Sequence, residues 1–383
     1  MASEPFILGQ SRAQAALLRA LRGGHVHHAW IFHGPQGVGK FRTAHAFARL
    51  LLDPDAPAPA GELLVPPEGT ACARLIAAGT HPDLHVVRKE LAALSESREL
   101  RERKQLNIPL DLLRERMLGG VDGDGRHLES AVFRTAARGH GKVFIVDEAE
   151  LLDADGQNAM LKTLEEPPAG TTIILVTQRE DRLLPTIRSR CQRLGFGPLD
   201  AAAMARWWER EGPKVDAPTR AFADAFAQGA PGMATLAVAH GLAAWDAELS
   251  PALDALEQGR FAPLGDRMAE LVDTFAKGIV DADEQASKDA ANRLGTRLLV
   301  QLLAMRVRRG LRDACADAAA ARRWIDLAEA LDDFERHVRS NVNLKHAFGN
   351  LVAQWAERAT AGGAGARAAG AAAAPGAGAA RGR

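Results

Sequence analysis

Apolar and polar residues alternate with two different periods along the chain. Up to residue 198, short apolar runs rich in β-branched residues are separated by segments whose apolar residues recur at helical spacing. The strand-like runs are Ala29–Phe32, Val143–Val146 and Thr172–Val176, and the helix-like segments include Ser11–Arg22 and Thr43–Leu52. Such alternation is typical of parallel strands that helices cover on both faces. The pattern therefore predicts an α/β domain with a parallel sheet over residues 1–198.

Only the helical period continues after residue 198. We predict helices at Ala201–Glu211, Pro218–Gln228, Asp266–Ile279, Lys288–Leu311 and Ala319–Arg339. The stretch Gly229–Gly232, which contains both Gly and Pro, interrupts the pattern after the second of these helices. We therefore expect a small helical domain over 199–245 and a larger all-α domain over 246–358.

Composition changes abruptly at residue 359. Residues 359–383 hold 13 Ala, 7 Gly and 3 Arg, and we predict a disordered tail because so little apolar surface cannot offset the ordering entropy. The whole chain has 48 Lys+Arg and 48 Asp+Glu, which gives a formal net charge of zero, and the body without its tail has a net charge of −3. This balance argues against a uniformly basic nucleic-acid binder, although it allows a local basic stripe.

Targeting signals and cysteine content restrict the class further. No apolar run approaches the length of a membrane span, and the first residues lack the basic region and long apolar core of a signal peptide. The cysteines, Cys72, Cys191 and Cys315, are far apart and odd in number. This usage argues against a disulfide framework and against a four-cysteine zinc site. We predict a cytoplasmic protein without a membrane segment.

A glycine-rich motif follows the first strand-like run. Residues 34–40 read Gly-Pro-Gln-Gly-Val-Gly-Lys and lead into a helix-like segment. Glycines let backbone N–H groups converge on an anion at a helix N-terminus, and the lysine reaches the outer phosphates. The candidate phosphate-binding residues are Gly34, Gly37, Gly39 and Lys40. An ordinary glycine-rich turn between a strand and a helix is the alternative.

The residue after the lysine departs from this motif. A functional loop has Ser or Thr there because the hydroxyl ligates Mg²⁺, whereas this chain has Phe41, whose ring cannot ligate a hard cation. Thr43 lies two positions further on and about 200° round the helix, so it cannot take over. The sequence predicts a retained loop with a damaged metal site.

An acidic pair, Asp147 and Glu148, follows the strand-like run Val143–Val146. At the carboxyl end of a buried strand, the first carboxylate would hold Mg²⁺ and the second would activate water. Capping of the next helix is the alternative. Because Phe41 replaces the hydroxyl ligand, we favour retained architecture over retained hydrolysis, regard the pair as vestigial and expect no bound metal.

Longer motifs resemble one protein family. Residues 27–35 read His-His-Ala-Trp-Ile-Phe-His-Gly-Pro, residues 79–84 read Gly-Thr-His-Pro-Asp-Leu, and residues 158–168 end in Leu-Glu-Glu-Pro-Pro. With Ser-Arg-Cys at 189–191, they resemble the bacterial clamp-loader branch of the AAA+ ATPases, and within it the delta-prime family of DNA polymerase III. The likeness is dense over 6–200 and thinner over 200–358.

The resemblance implies a RecA-like α/β domain, a helical lid over 199–245 and a collar domain over 246–358 that holds a ring of subunits. It implies the gamma/tau and delta subunits, the sliding clamp and primed DNA as partners. It also gives Ser189, Arg190 and Cys191 a role, because Arg190 would enter the ATP site of a neighbouring motor subunit as an arginine finger. A surface ion pair is the alternative for this arginine.

Further departures separate the chain from the motor subunits of that family. Gly232 occupies the position of a lid arginine that contacts the γ-phosphate, and Cys72 alone remains where motor subunits have a zinc module. One thiolate cannot form a tetrahedral zinc site, so we expect no zinc and no required cofactor, and weak ATP or ADP binding stays open. The expected function is a non-hydrolysing subunit that helps load the sliding clamp. The alternative is an active gamma/tau-like motor subunit.

Overall fold

The computed structural model describes residues 7–56, 64–102, 106–123, 125–282, 286–338 and 343–371, with side chains described up to residue 359. The chain divides into two compact units, 1–236 and 237–383. The first unit contains the whole predicted α/β domain and most of the segment 199–245.

A parallel sheet forms the centre of the first unit. The strands are β1 Ala29–His33, β2 Leu84–Val87, β3 Gly120–Val121, β4 His127–Leu128, β5 Lys142–Val146, β6 Thr171–Thr177 and β7 Gln192–Gly195. Five of them form one sheet in the order β2–β5–β6–β1–β7, and every neighbouring pair is parallel. Strands β3 and β4 form a short antiparallel ladder. The predicted α/β fold with a parallel sheet is confirmed.

The two edge strands are absent from the sequence-based prediction. The central strands β5 and β6 are buried at every position, so they read as continuous apolar runs. Strand β7 exposes three of its four residues, and β2 is only partly buried up to its last residue. An edge strand has one neighbour and need not be apolar on both faces, so its pattern carries a weaker signal.

Helices cover the sheet and extend beyond it. In order, they are α1 Ser11–Arg22, α2 Lys40–Leu52, α3 Ala71–Ala77, α4 Arg98–Glu102, α5 Leu110–Leu113, α6 Ala154–Glu165, α7 Pro185–Arg190, α8 Ala201–Arg210, α9 Ala217–Ala227 and α10 Pro231–Ala239. Asp153, Asp200 and Asp216 each accept a hydrogen bond from the backbone N–H three residues later. These caps fix the starts of α6, α8 and α9.

The second unit is helical throughout its described part. Its helices after α10 are α11 Leu242–Glu257, α12 Leu264–Ala282, α13 Lys288–Asp313, α14 Ala318–Val338 and α15 Leu344–Ala371. Helix α12 packs on α13 and α15, and α14 packs on the same two helices. Phe348 and Trp355 of α15 are almost fully buried. The predicted all-α region is confirmed. Across the described ranges, no helix combines the length and apolar character needed to cross a bilayer.

The last helix continues further than the composition indicated. Helix α15 runs to Ala371, so residues 359–371 are helical where disorder was predicted. Alanine has the highest helix propensity, and a helix already anchored by Phe348 and Trp355 adds residues without a new nucleation cost. Residues 372–383 of the predicted tail lie outside the described residues.

Candidate functional site

A cavity of about 680 Å³ lies at the carboxyl ends of the central strands. Its polar side is formed by the loop 36–42 together with Asp147, Glu148, Glu150, Thr177 and Gln178. Its apolar side is formed by Ile7, Leu8, Leu199, Trp207, Pro231 and Leu236. Open parallel sheets bind ligands at this edge, and the volume suits a small organic molecule. The structure thus brings the predicted loop and the acidic pair into one cavity.

The loop between β1 and α2 depends on its glycines. Gly34, Gly37 and Gly39 have φ angles of 141°, 78° and 99°, which residues with a side chain rarely adopt. At Gly34, a Cβ atom would also lie 2.1 Å from the carbonyl oxygen of Phe196. The chain then enters α2 at Lys40. The glycine-rich turn between a strand and a helix is therefore present, and its binding of phosphate stays a prediction.

Lys40 is folded back onto this loop. The residue is only 5% exposed, and its Nζ donates hydrogen bonds to the carbonyl oxygens of Gly34 at 2.7 Å and Pro35 at 2.6 Å. Burial lowers the pKa of Lys40 to about 8, and the nearby carboxylates of Glu150 and Asp147 oppose this shift. Because this pKa lies above 7, Lys40 stays mostly protonated at neutral pH, although it loses its proton more readily than an exposed lysine.

The lowered pKa of Lys40 predicts a pH dependence of stability. The unfolded chain keeps this proton up to a pKa of 10.5, whereas the folded chain releases it near pH 8. Between these values the unfolded state binds more protons, so the free energy of unfolding rises with pH, by at most about 3 kcal/mol. Lys40→Met should lack this rise. Urea unfolding of both proteins on either side of pH 8 measures it, and parallel changes would contradict the shifted pKa.

The residues around α2 do not fit a magnesium ion. Where the metal's hydroxyl ligand would be, the ring of Phe41 lies under a guanidinium, with Arg88 Cζ 4.0 Å from the ring centroid. The hydroxyl of Thr43 is fully buried and donates to the carbonyl oxygen of Gly39 at 3.0 Å. Mg²⁺ requires oxygen ligands in near-octahedral geometry. An aromatic ring and a guanidinium cation offer no such oxygen ligands.

Two basic residues neutralise the acidic pair. Asp147 Oδ2 lies 3.3 Å from Arg88 Nε, and Glu148 forms an ion pair with Lys89. Burial raises the pKa of Asp147, and the cation of Arg88 opposes this rise. Sequence reasoning missed both basic residues, although they directly follow β2. The signal was their position, since residues that leave neighbouring parallel strands at the same level lie side by side.

The alternative that the acidic pair caps the next helix is wrong. Glu148 precedes the 3₁₀ turn Ala149–Leu151 without a side-chain hydrogen bond to it. The following helix, α6, is capped by Asp153 instead. Glu150 also faces the cavity, and its Oε1 accepts a hydrogen bond from the backbone N–H of Gln178 at 3.3 Å. The acidic side chains therefore belong to the cavity.

The first turn of α10 rests on the phosphate loop. The N–H of Gly232 donates to the carbonyl oxygen of Gly37 at 2.9 Å. A Cβ atom at Gly232 would lie 2.8 Å from Gly37 Cα, and one at Gly37 would lie 2.8 Å from the backbone nitrogen of Met233. The two glycines therefore permit a contact between backbones that excludes a side chain from position 232.

Arg190 lies apart from the cavity, at the end of α7. Its guanidinium is 2.6 Å from Glu165 Oε1 and donates to the carbonyl oxygen of Thr186 at 2.9 Å. The hydroxyl of Ser189 donates to the same carbonyl oxygen. Cys191 is partly buried, and burial raises the pKa of its thiol to about 12. In the chain by itself, Arg190 therefore forms a surface ion pair, which is the alternative that the sequence left open.

The surroundings of Cys72 do not fit zinc. The thiol is buried in α3, and burial raises its pKa to about 11, whereas zinc binds the thiolate. In the part of the chain that the structure describes, no three Cys, His, Asp or Glu side chains are arranged to hold a metal ion.

A known protein family matches the α/β part of the chain. The model of the family described as DNA polymerase III, delta subunit, matches residues 9–200, which is half of the chain. The chain belongs to this family. Together with the delta-prime relatives described below, this match confirms the predicted membership of the clamp-loader delta-prime family.

Individual subunits of DNA polymerase III match about half of the chain. The delta-prime subunit of Pseudomonas aeruginosa is 35% identical over 215 residues, which are 56% of each chain. The delta-prime subunit of Escherichia coli K12 is 30% identical over 51% of this chain and 50% of its own. The gamma/tau subunit of Mycobacterium tuberculosis H37Rv is 32% identical over 55% of this chain and 32% of its own. The chain spans about half the length of these delta-prime relatives.

Proposed function

We propose that this chain is a non-hydrolysing subunit of a clamp-loader complex. It would help load the sliding clamp on primed DNA in the cytoplasm, together with gamma/tau and delta subunits. Its own cavity would not turn over ATP, and Arg190 would act in trans at the ATP site of a neighbouring gamma/tau-type subunit.

The observation that carries this proposal is the environment of Phe41. The aromatic ring and Arg88 stand where hydrolysis requires a metal ligand, and Thr43 uses its hydroxyl within the helix. Gly232 adds a second loss, because no side chain at that position reaches the cavity. One lost electrostatic contact to a transition state costs about 3–4 kcal/mol. Two such losses leave too little stabilisation for useful turnover.

The position of Arg190 supports action in trans. The side chain lies at the end of a short helix, about one third exposed, and its partner Glu165 is half exposed. Exposed ion pairs contribute about 0–1 kcal/mol, so a phosphoryl group of an adjacent subunit can displace Glu165 at small cost. The ion pair therefore positions Arg190, and the stability of the fold does not depend on it.

An active motor subunit is the second candidate. The M. tuberculosis gamma/tau subunit matches 216 residues of this chain, nearly as many as the 215 that the P. aeruginosa delta-prime subunit matches, and Lys40, Asp147 and Glu148 all line the cavity. Sequence identity does not separate the two functions, whereas Phe41 and Gly232 do. Direct measurement of ATP turnover decides between them.

We expect the purified chain to hydrolyse ATP no faster than the buffer blank with Mg²⁺ present. Phe41→Thr should leave turnover at the same level, because the contact between Gly232 and Gly37 and the ion pair of Arg88 remain. Steady-state release of phosphate is the measurement, and a purified gamma/tau subunit is the positive control. Turnover of the wild-type chain at the rate of that control would establish the motor function instead.

A further inference from the structure

One face of helix α13 carries a row of arginines. At 100° per residue, its members lie within about 100° of one another around the helix axis, and they are Arg293, Arg297, Arg308 and Arg312. Three of them are exposed, and Arg308 is half-buried. The only two acidic residues of α13 lie outside the stretch from Arg293 to Arg312. We call the surface formed by these four arginines the basic face of α13.

The charges of the basic face are not compensated within the described residues. None of its arginines forms an ion pair there. The Nε atom of Arg308 is buried and has no hydrogen-bond partner in the described part of the chain. Burial lowers the pKa of Arg308, and the neighbouring cation Arg312 lowers it further. Like charges one turn apart destabilise a helix, so a bound anion would relieve this repulsion.

Arg306, on the opposite side of α13, shows how the fold treats an arginine that packs inside it. Its Nε donates to Glu257 of α11 at 2.7 Å, and its guanidinium is also paired with Asp254 of the same helix. Position 306 lies about 160° round the helix from position 308. Within the described ranges, no acidic helix is paired in this way with the basic face. Its arginines therefore remain available to a partner outside the chain.

The length and composition of the basic face indicate which anion it fits. At 1.5 Å per residue, Arg293 and Arg312 stand about 28 Å apart along the helix axis, and a DNA duplex presents a phosphate about every 1.7 Å of its own axis. The planar guanidinium fork matches phosphate oxygens. Helix α13 contains no aromatic residue, whereas proteins that hold single strands stack bases on aromatic side chains. The face therefore suits the regular backbone of a duplex better than the bases of a single strand.

We propose that the basic face of α13 binds the phosphate backbone of double-stranded DNA without sequence preference. Contacts to phosphates position a protein on a duplex and carry no sequence information. The inference goes beyond the proposed function, because this contact needs neither ATP nor another subunit. Its failure would leave the predictions for ATP turnover and for Arg190 unchanged.

Fluorescence anisotropy of a labelled duplex of about 20 base pairs, titrated with the full chain without ATP, tests the contact. We expect log K to fall with log [NaCl] with a slope of about −3.6, or roughly −0.9 for each of four phosphates. A second duplex of scrambled sequence should bind equally, and a single strand of the same length should bind more weakly. No binding, or a slope near zero, would overturn the inference. Equal binding of the single strand would overturn the assignment to a duplex.

Variants assign the binding to this face of the helix. Arg297→Ala combined with Arg312→Ala should weaken duplex binding by about tenfold or more in low salt and reduce the slope by about 2. Both side chains are exposed, so the double variant should fold normally, which urea unfolding checks. Arg309→Ala is the matched control, because it removes the same charge from an exposed position of α13 about 100° away from Arg308. An equal loss in Arg309→Ala, or full binding by the double variant, would contradict the assignment.

An acidic protein is the other partner that an arginine row could bind, and competition separates it from DNA. We expect poly-L-glutamate to displace the labelled duplex less well than unlabelled duplex at the same concentration of negative charge. A carboxylate chain lacks the fixed spacing of duplex phosphates, and it must lose more conformational freedom to follow the helix. Equal displacement by poly-L-glutamate would assign the face to an acidic polypeptide and overturn the inference.

Discussion

Replacing Arg190 with alanine is expected to lower ATP turnover of the reconstituted complex by about 10³-fold or more, because we propose that this arginine acts in trans at the ATP site of a neighbouring subunit. A guanidinium in trans stabilises the charge that develops on the transferred phosphoryl oxygens, and alanine leaves that charge uncompensated. The variant itself should fold normally, because the contacts of Arg190 within the described residues, with Glu165, Ser189 and Thr186, are exposed. The measurement is steady-state ATP turnover and clamp loading by a complex reconstituted with gamma/tau and delta subunits, sliding clamp and primed DNA.

Three control variants make this result specific to the finger. Arg193→Ala removes the same charge from β7, where the side chain is 57% exposed, and should leave turnover unchanged. Arg190→Lys keeps the charge but loses the planar fork, so it should recover little activity. Glu165→Gln removes only the carboxylate that pairs with Arg190 in the chain by itself, so this variant should retain turnover. Full activity in Arg190→Ala, or an equal loss in Arg193→Ala, would remove Arg190 from the mechanism.

Gly232→Arg is expected to destabilise the first unit by about 1–3 kcal/mol, as other overpacked sites do. Any Cβ atom at this position lies 2.8 Å from Gly37 Cα, and backbone cannot move aside as a flexible side chain can. The first turn of α10 must separate from the phosphate loop, which breaks the 2.9 Å hydrogen bond between Gly232 and Gly37. Urea unfolding of the full chain measures the loss.

The same substitution tests whether motor activity can be restored. Phe41→Thr combined with Gly232→Arg restores two residues of the motor pattern. We still expect no motor-like ATP turnover, because Arg88 remains ion-paired with Asp147.

Gly197→Ala is the matched control for the stability of Gly232→Arg, since a Cβ atom at position 197 meets nothing within 4 Å. It should change the free energy of unfolding by less than about 0.5 kcal/mol. An unchanged unfolding curve for Gly232→Arg would show that α10 and the loop separate freely.

Local patterns were sufficient for the central part of the fold. The strands β1, β5 and β6 are buried on both faces and appear as apolar runs, and helices such as α1 and α8 have a clear apolar stripe with recognisable ends. The edge strands β2 and β7 were missed because one side of each lacks a strand partner, which weakens the apolar pattern. The extent of α15 was underestimated because composition does not reveal where a preceding helix is anchored.

In the candidate site, too, the features formed by consecutive residues could be predicted, whereas the contacts between distant residues could not. Gly34, Gly37, Gly39 and Lys40 were predicted correctly as a loop, because the requirement for positive φ and for a convergent lysine is local to seven consecutive residues. Arg88 and Lys89 lie far from Asp147 and Glu148 in sequence, and no spacing rule connects them. Their pairing depends on which strands are neighbours and in what register.

The amino-acid sequence alone was sufficient to predict the glycine-rich turn between β1 and α2 and to show that Phe41 follows its lysine, since both are properties of adjacent residues. It also determined the parallel α/β class and the helical second half, because hydrophobic periodicity reflects which faces are buried. The ion pair between Arg88 and Asp147 and the backbone contact between Gly232 and Gly37 could be seen only in the folded structure. These contacts join distant segments of the chain, and their geometry exists only once the sheet register and the packing of α10 are set.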